Sequence, residues 1–223
     1  MSNIRRVLIL GLALLMALAL AAPAVAQGAP EAQVRVAHLS PDAPNVDVSV
    51  NGEPVAALQN VSYGTISPYL PLPAGSHRVT VYPAGDTSQP VIDTPVDLTT
   101  GGAYTIGAVG LVSDGSLRAE AYQDDLTPPA QGDAKLRVVH AWSDAGPVDV
   151  VPAGGAPLVG GLQFPNASPY AQVPAGTYTL NVNAAGTNTR AISVPNATVA
   201  SGGVYSAFAV GTASAGTLNV ILA

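Results

Sequence analysis

His38, Asp42 and Asp47 recur as His140, Asp144 and Asp149, each 102 residues further along the chain. Imidazole and carboxylate both ligate zinc and related ions, so each set could form a His/Asp metal site. Strand parity points elsewhere. His38 shares a face with Val34 and Val36, and His140 with Leu136 and Val138, so both rings are expected to point into a core and bond backbone. Asp42 and Asp144 stand in loops beside Ala, where an Asx-type turn accounts for a carboxylate. Asp42 to Glu53 has the twelve-residue length of an EF-hand loop, but Pro44 stands at the third position and Asp47 at the sixth. An oxygen ligand and a glycine are needed there.

Arg35 and Arg137 are repeated on the polar face of the same strand. With Asp47 and Asp149 they read as cross-strand ion pairs at an exposed surface; an anion or partner site is the functional alternative. Tyr104 and Tyr205 each follow Gly-Gly and open a strand, which is the placement of a tyrosine corner. Tyr69 and Tyr170, in a repeated Ser-Pro-Tyr, and Trp142 are the aromatic candidates for an interaction surface such as a carbohydrate platform. Catalytic patterns are missing from the chain. Gly110 to Gly115 has the wrong spacing for a nucleophile elbow, and no Walker loop or H-E-x-x-H occurs. With three His, no Cys and one Lys, general acid–base equipment is sparse, so a non-enzyme without cofactor is expected.

The elements that must place these residues are short strands. Val34/Val36/His38, Val46/Val48/Val50, Val79/Val81, Val96/Leu98, Tyr104/Ile106/Ala108 and Leu117/Ala119/Ala121 alternate with polar residues. Turn residues bound each run, among them Asn51-Gly52, a type I′ hairpin signal. Pro68, Pro71 and Pro73 are expected at edges or strand ends, where no ladder donor is lost. Outside the N-terminal apolar run no stretch has a clean helical period.

The repeat covers whole domains. Val34–Val48 and Leu136–Val150 share eight of 15 residues, and after one deletion the offset becomes 101 and holds to the end. Ser67-Pro68-Tyr69 meets Ser168-Pro169-Tyr170, and Ala108-Val109-Gly110 meets Ala209-Val210-Gly211. A period this long means duplicated domains, since solenoid repeats run to about 20–50 residues. The expected division is a signal peptide at 1–26, repeats at 32–122 and 134–223, and a polar linker at 123–133. The linker, with its solvated Asp124-Asp125 pair, predicts two domains that fold independently. The fold class read here is all-β, with two tandem antiparallel sandwiches of immunoglobulin-like or transthyretin-like type.

Composition bounds the function. The net charge is −6 and only 10% of residues are charged, which leaves no basic surface for nucleic acid. Arg5 and Arg6, the apolar run from Val7 to about Ala22, and Ala24-Val25-Ala26 read as a secretory signal cleaved after Ala26. A secreted or envelope location follows, with no stable membrane insertion of the mature chain. Its partner is expected to be a protein or glycan at the cell surface, and self-association through strand edges is a further possibility. With no Cys, packing alone must hold the domains.

The segment from Val34 to Val50, with His38, Ser40-Pro41-Asp42-Ala43-Pro44 and Val46-Asp47-Val48, resembles the start of the domain of unknown function 4397 (DUF4397). Ser67-Pro68-Tyr69, Pro73-Ala74-Gly75 and Val79-x-Val81 resemble its middle, and both copies fit. The second copy departs where Trp142-Ser143 replaces Ser40-Pro41 and Gly146-Pro147 replaces Pro44-Asn45. The resemblance implies export, an extracellular or envelope setting and a β-rich fold, and brings no catalytic residues. Together these features favour a structural, adhesive or protein-interaction role; a glycan- or metal-binding module is the alternative.

Overall fold

Alternating side chains and glycine-containing turns build sixteen strands in the computed structural model, which describes residues 30–223. The signal segment lies outside them. Repeat one supplies β1 (Glu31–His38), β2 (Val46–Val50), β3 (Glu53–Pro54), β4 (Leu70–Pro73), β5 (Gly75–Pro83), β6 (Ile92–Leu98), β7 (Ala103–Val109) and β8 (Arg118–Asp124). Repeat two supplies β9 (Asp133–His140), β10 (Val148–Pro152), β11 (Val159–Leu162), β12 (Ala171–Pro174), β13 (Gly176–Ala184), β14 (Arg190–Val199), β15 (Val204–Val210) and β16 (Asn219–Leu222).

Each repeat is a two-sheet sandwich. In the first, β4-β1-β7-β8 faces β3-β2-β5-β6; in the second, β12-β9-β15-β16 faces β11-β10-β13-β14. Pairing is antiparallel except where β1 meets β7 and β9 meets β15, which run parallel. Asn51 and Gly52 adopt φ of 53° and 85° and join β2 to β3 directly, as a type I′ turn requires. Prolines lie on the edge strands β4, β6, β12 and β14, where the missing N–H breaks no internal ladder. One core fills each sandwich, around Val48, Val81 and Ile106 in the first and Val150, Val182 and Ala207 in the second.

A third core joins the domains, contrary to the independence that the linker suggested. Ala37, Leu39, Val109 and Tyr122 pack with Val139, Ala141, Phe208 and Val210. Strand β7 is therefore buried along its whole length, one face in its own sandwich and the other against the neighbouring domain. The linker shrinks as well. Gln123 and Asp124 complete β8 and Asp133 opens β9, so only residues 125–132 connect the domains.

Candidate functional site

Residues of opposite parity to the core-facing valines carry the polar chemistry of this interface. Arg35 on β1 and Arg137 on β9 point away from their own sandwiches and meet between the domains, 8% and 2% exposed. Arg35 Nε donates to Thr105 Oγ1 at 2.8 Å, and its Nη2 reaches Ser206 Oγ at 3.1 Å in the other repeat. Arg137 Nε donates to the same Ser206 Oγ at 3.0 Å, and its Nη1 donates to the carbonyl of Gln123 at 2.8 Å. Thr105 and Ser206 correspond between repeats, as do Tyr69 and Tyr170. The guanidinium carbon of Arg35 lies 4.9 Å from the Tyr69 ring centre, and that of Arg137 lies 4.9 Å from Tyr170. The interface is thus built by pairing equivalent residues, as in a two-fold dimer.

Asp124 breaks that symmetry. Its carboxylate, with a fully buried side chain, accepts from Arg137 Nη2, from Thr105 Oγ1 at 2.7 Å and from Tyr69 Oη at 2.7 Å. Arg35 Nε stands 3.9 Å away from it. Burial, with the bond to Asp124, pushes the Tyr69 hydroxyl well above its usual range. One carboxylate therefore sits against two guanidiniums, and the hydroxyls and aromatic faces complete their coordination. The cluster can hold the domains together and cannot serve as an exposed anion site, because both arginines face protein.

The Arg35–Asp47 and Arg137–Asp149 ion pairs do not form. Each arginine and aspartate occupies a different sheet, and the sandwich core lies between them. Asp47 instead accepts from the backbone N–H of Asn60 at 2.7 Å and of Gly85 at 2.9 Å, and these bonds lower its pKa. Asp149 takes the amides of Gly161 and Gly186 at 2.7 and 2.8 Å, with the same effect. The acidic pair expected in a solvated linker is also corrected. Asp124 is 6% exposed, while Asp125 alone faces solvent, held by Lys135 at 2.6 Å and by Thr127, with its pKa lowered to about 2.

His38 and His140 are 1% and 0% exposed. Their Nε2–H groups donate to the carbonyls of Pro44 and Gly146 at 3.0 and 3.1 Å. Burial lowers both pKa values, and the carbonyl bonds offset only part of that. Asp42 and Asp144 are not local Asx turns. They brace a distant loop, Asp42 accepting from Val112 and Ser113 N–H and Asp144 from Ala213 and Ser214 N–H, all at 2.9 Å. Burial raises the Asp42 pKa, but those bonds outweigh it and the net shift is downward. Among the described residues, no three His, Asp or Glu side chains gather as a metal-ligand set.

The aromatic candidates divide. Tyr104 Oη accepts from Thr99 N–H at 3.1 Å, and Tyr205 Oη from Ala200 N–H at 3.0 Å, each five residues upstream. A Cβ on Gly102 would lie 2.7 Å from the Tyr104 ring, which explains the second glycine of that turn. Trp142 is 1% exposed in the second core and donates to the Val210 carbonyl at 2.6 Å, so it presents no surface platform. Tyr69 and Tyr170 lie half-buried over the arginines, and Tyr170 also borders an open cleft shared with Gln163, Asn166 and Ser168. The functional residue that sequence reading missed is Asp124. The available hint was a pair of arginines repeated at equivalent strand positions.

These features define a protein of two β-sandwich domains fused through a buried, charged and pseudo-symmetric interface. Its family is now plain. The chain belongs to the family described as domain of unknown function (DUF4397), whose model matches residues 32–151 and 134–223. No curated protein matches the sequence significantly. Among solved structures, the chain is similar to the Bacillus anthracis TIE protein at 11% identity, with a TM-score of 0.25, over 81% of this chain and 34% of that one. A leucine-rich repeat protein from Bacteroides thetaiotaomicron gives 14% identity and a TM-score of 0.24, over 82% and 26%. The family CBM26 module CBMbc from Eubacterium rectale Amy13K, solved with maltoheptaose, gives 12% and 0.26, over 86% and 96%. This chain spans about a third and a quarter of the first two.

Proposed function

We propose that the protein is exported and acts without catalysis, as a stiff two-domain unit with a structural, adhesive or protein-interaction role at the cell envelope or in the matrix. One observation carries this reading. The repeated Arg, His and Asp side chains, which sequence offers for chemistry, all end in bonds that hold loops or join the domains. A body so joined transmits position and force between its two ends, whereas flexibly linked domains would not. The residue pattern over 1–26 supports export, and among the described residues no helix is long and apolar enough to cross a membrane. Edge prolines oppose strand addition at β3, β4, β6, β12 and β14, which leaves β8, β11 and β16 as the proline-free edges for self-association.

Fractionating the native host and immunoprecipitating the protein tests the proposal. Recovery in the medium or envelope, with a surface component bound, is expected. Recovery in the cytosol would overturn it. A second reading, glycan binding, is favoured by the cleft of about 590 Å³ beside Tyr170, where the exposed Gln163 and Asn166 offer hydrogen-bonding groups. Retardation of the chain in polysaccharide-containing gels, abolished by Asn166→Ala, would support that reading over a purely structural one.

A further inference from the structure

The two repeats share a fold but fill it differently. Between the sheets of the first domain lies a cavity of about 270 Å³, walled by aliphatic side chains that include Val34, Val36, Val48, Leu58, Leu70 and Leu72. In the second domain the equivalents of four lining residues, Val138, Val150, Leu180 and Ala207, border a void of about 10 Å³ that extends toward Val194 and Val220. The two repeats line this part of the sandwich with different side chains. Val34 and Val79 of the first repeat are replaced by the longer Leu136 and Leu180 in the second, while Leu70 and Ile106 are replaced by the shorter Ala171 and Ala207. Val36, on an inner strand, is only partly buried because it faces this space, while its counterpart Val138 is 4% exposed.

The topology sets where the cavity opens. Strands β6 and β8 touch and close one side of the sandwich. On the other side the edge strand β4 and the short helical turn at Ala56–Leu58 flank a gap, and Leu70, Leu72 and Val55 line it. Protein interiors seldom keep voids larger than a water molecule. An apolar cavity of roughly 150 Å³ stays dry and takes up benzene, so this one has room for about ten carbons. Facing sheets lie about 10 Å apart, which leaves a layer one side chain thick between them. A flexible hydrocarbon chain fits such a slot lengthwise. With no polar side chain in the wall, any polar head must stay at the mouth, in water.

We propose that the first domain binds the acyl chain of a fatty acid in this cavity, with the carboxylate outside. The site lies within one domain, so it stands or falls separately from the role proposed above. The probe is decanoate, titrated into the full chain below its micelle concentration. Calorimetry is expected to show saturable binding at one site, and methyl NMR shifts are expected at Val36, Leu70 and Ile106. Val34→Leu with Val79→Leu brings the second repeat's residues into the first and is expected to weaken binding at least tenfold. The absence of saturable binding would overturn the proposal, as would shifts confined to other methyls or equal binding by the filled variant. The wild-type methyl map decides the matter even where the double variant does not fold.

Discussion

Arg137, on the first strand of the second domain, donates to the carboxylate of Asp124, on the last strand of the first domain, with 2% and 0% of the two side chains exposed. Removing one partner of such a pair leaves the other charge buried and uncompensated, which typically costs about 3–5 kcal/mol. Asp124→Ala is expected to fall in that range by urea unfolding. Asp124→Asn, which keeps the acceptor oxygen, should cost less. An Asp124→Ala variant as stable as wild type would show that the buried charge cluster contributes nothing to folding.

The same interface predicts concerted unfolding. Ala37, Leu39, Val109 and Phe208 belong to one core that spans both domains. Fluorescence of Trp142, in the second domain, and circular dichroism of the whole chain should report one coincident transition. Two separated transitions would mean that the domains are coupled only weakly.

Pairwise coupling separates the observed partners from those expected by sequence. A double-mutant cycle on Arg137 and Asp124 should give an interaction energy of about 0.5–3 kcal/mol. A cycle on Arg35 and Asp47 should give none within error, because Asp47 bonds only backbone amides. Coupling between Arg35 and Asp47 would contradict the placement of the two residues on opposite sheets.

Acid should weaken the fold in two stages. The His38 and His140 pKa values are lowered by burial, so the unfolded chain binds protons first; their contribution is full above about pH 6.5 and fades as pH falls below it. The Asp47 and Asp149 values are lowered by amide bonds, so their contribution is present above about pH 3.8 and fades as pH falls further. Melting temperature measured from pH 8 to pH 3 should show both declines. In His38→Gln with His140→Gln the first should flatten; an unchanged profile would exclude the histidines as its source.

The repeated Gly-Gly turns place a small residue against a ring. Gly102→Ala should be destabilising by about 1–3 kcal/mol, since the added methyl meets Tyr104 and Thr99. Tyr104→Phe should cost less, about 0.5–1.5 kcal/mol, for the bonds to Thr99. Thermal denaturation of the two variants side by side checks the order. Gly102→Ala in a Tyr104→Ala background should lose most of its penalty.

Strands and turns were legible from sequence wherever the cause is local. Val46/Val48/Val50 alternates because one face is buried, and Asn51-Gly52 turns because positive φ is easy for those two residues. The inward histidines followed from the same parity. The outward face misled. Arg35, Thr105 and Asp124 alternate with core residues as surface side chains do, and nothing within a few positions signals that a second domain covers them. Trp142 was hard to place for a related reason: a large aromatic in a loop is buried or exposed according to what folds over it.

Residue order alone therefore specified the duplication, the strand periodicity, the turns and the absence of familiar catalytic patterns. All of these are properties of short windows or of one window compared with another. Tertiary structure decided which charges meet. Arg35 finds Ser206 across 171 residues, and Arg137 finds Asp124 rather than Asp149. It also decided that the first sandwich would keep an apolar cavity of about 270 Å³. Both outcomes depend on how whole sheets dock and how side chains from distant strands fill a shared volume, and no local pattern encodes that.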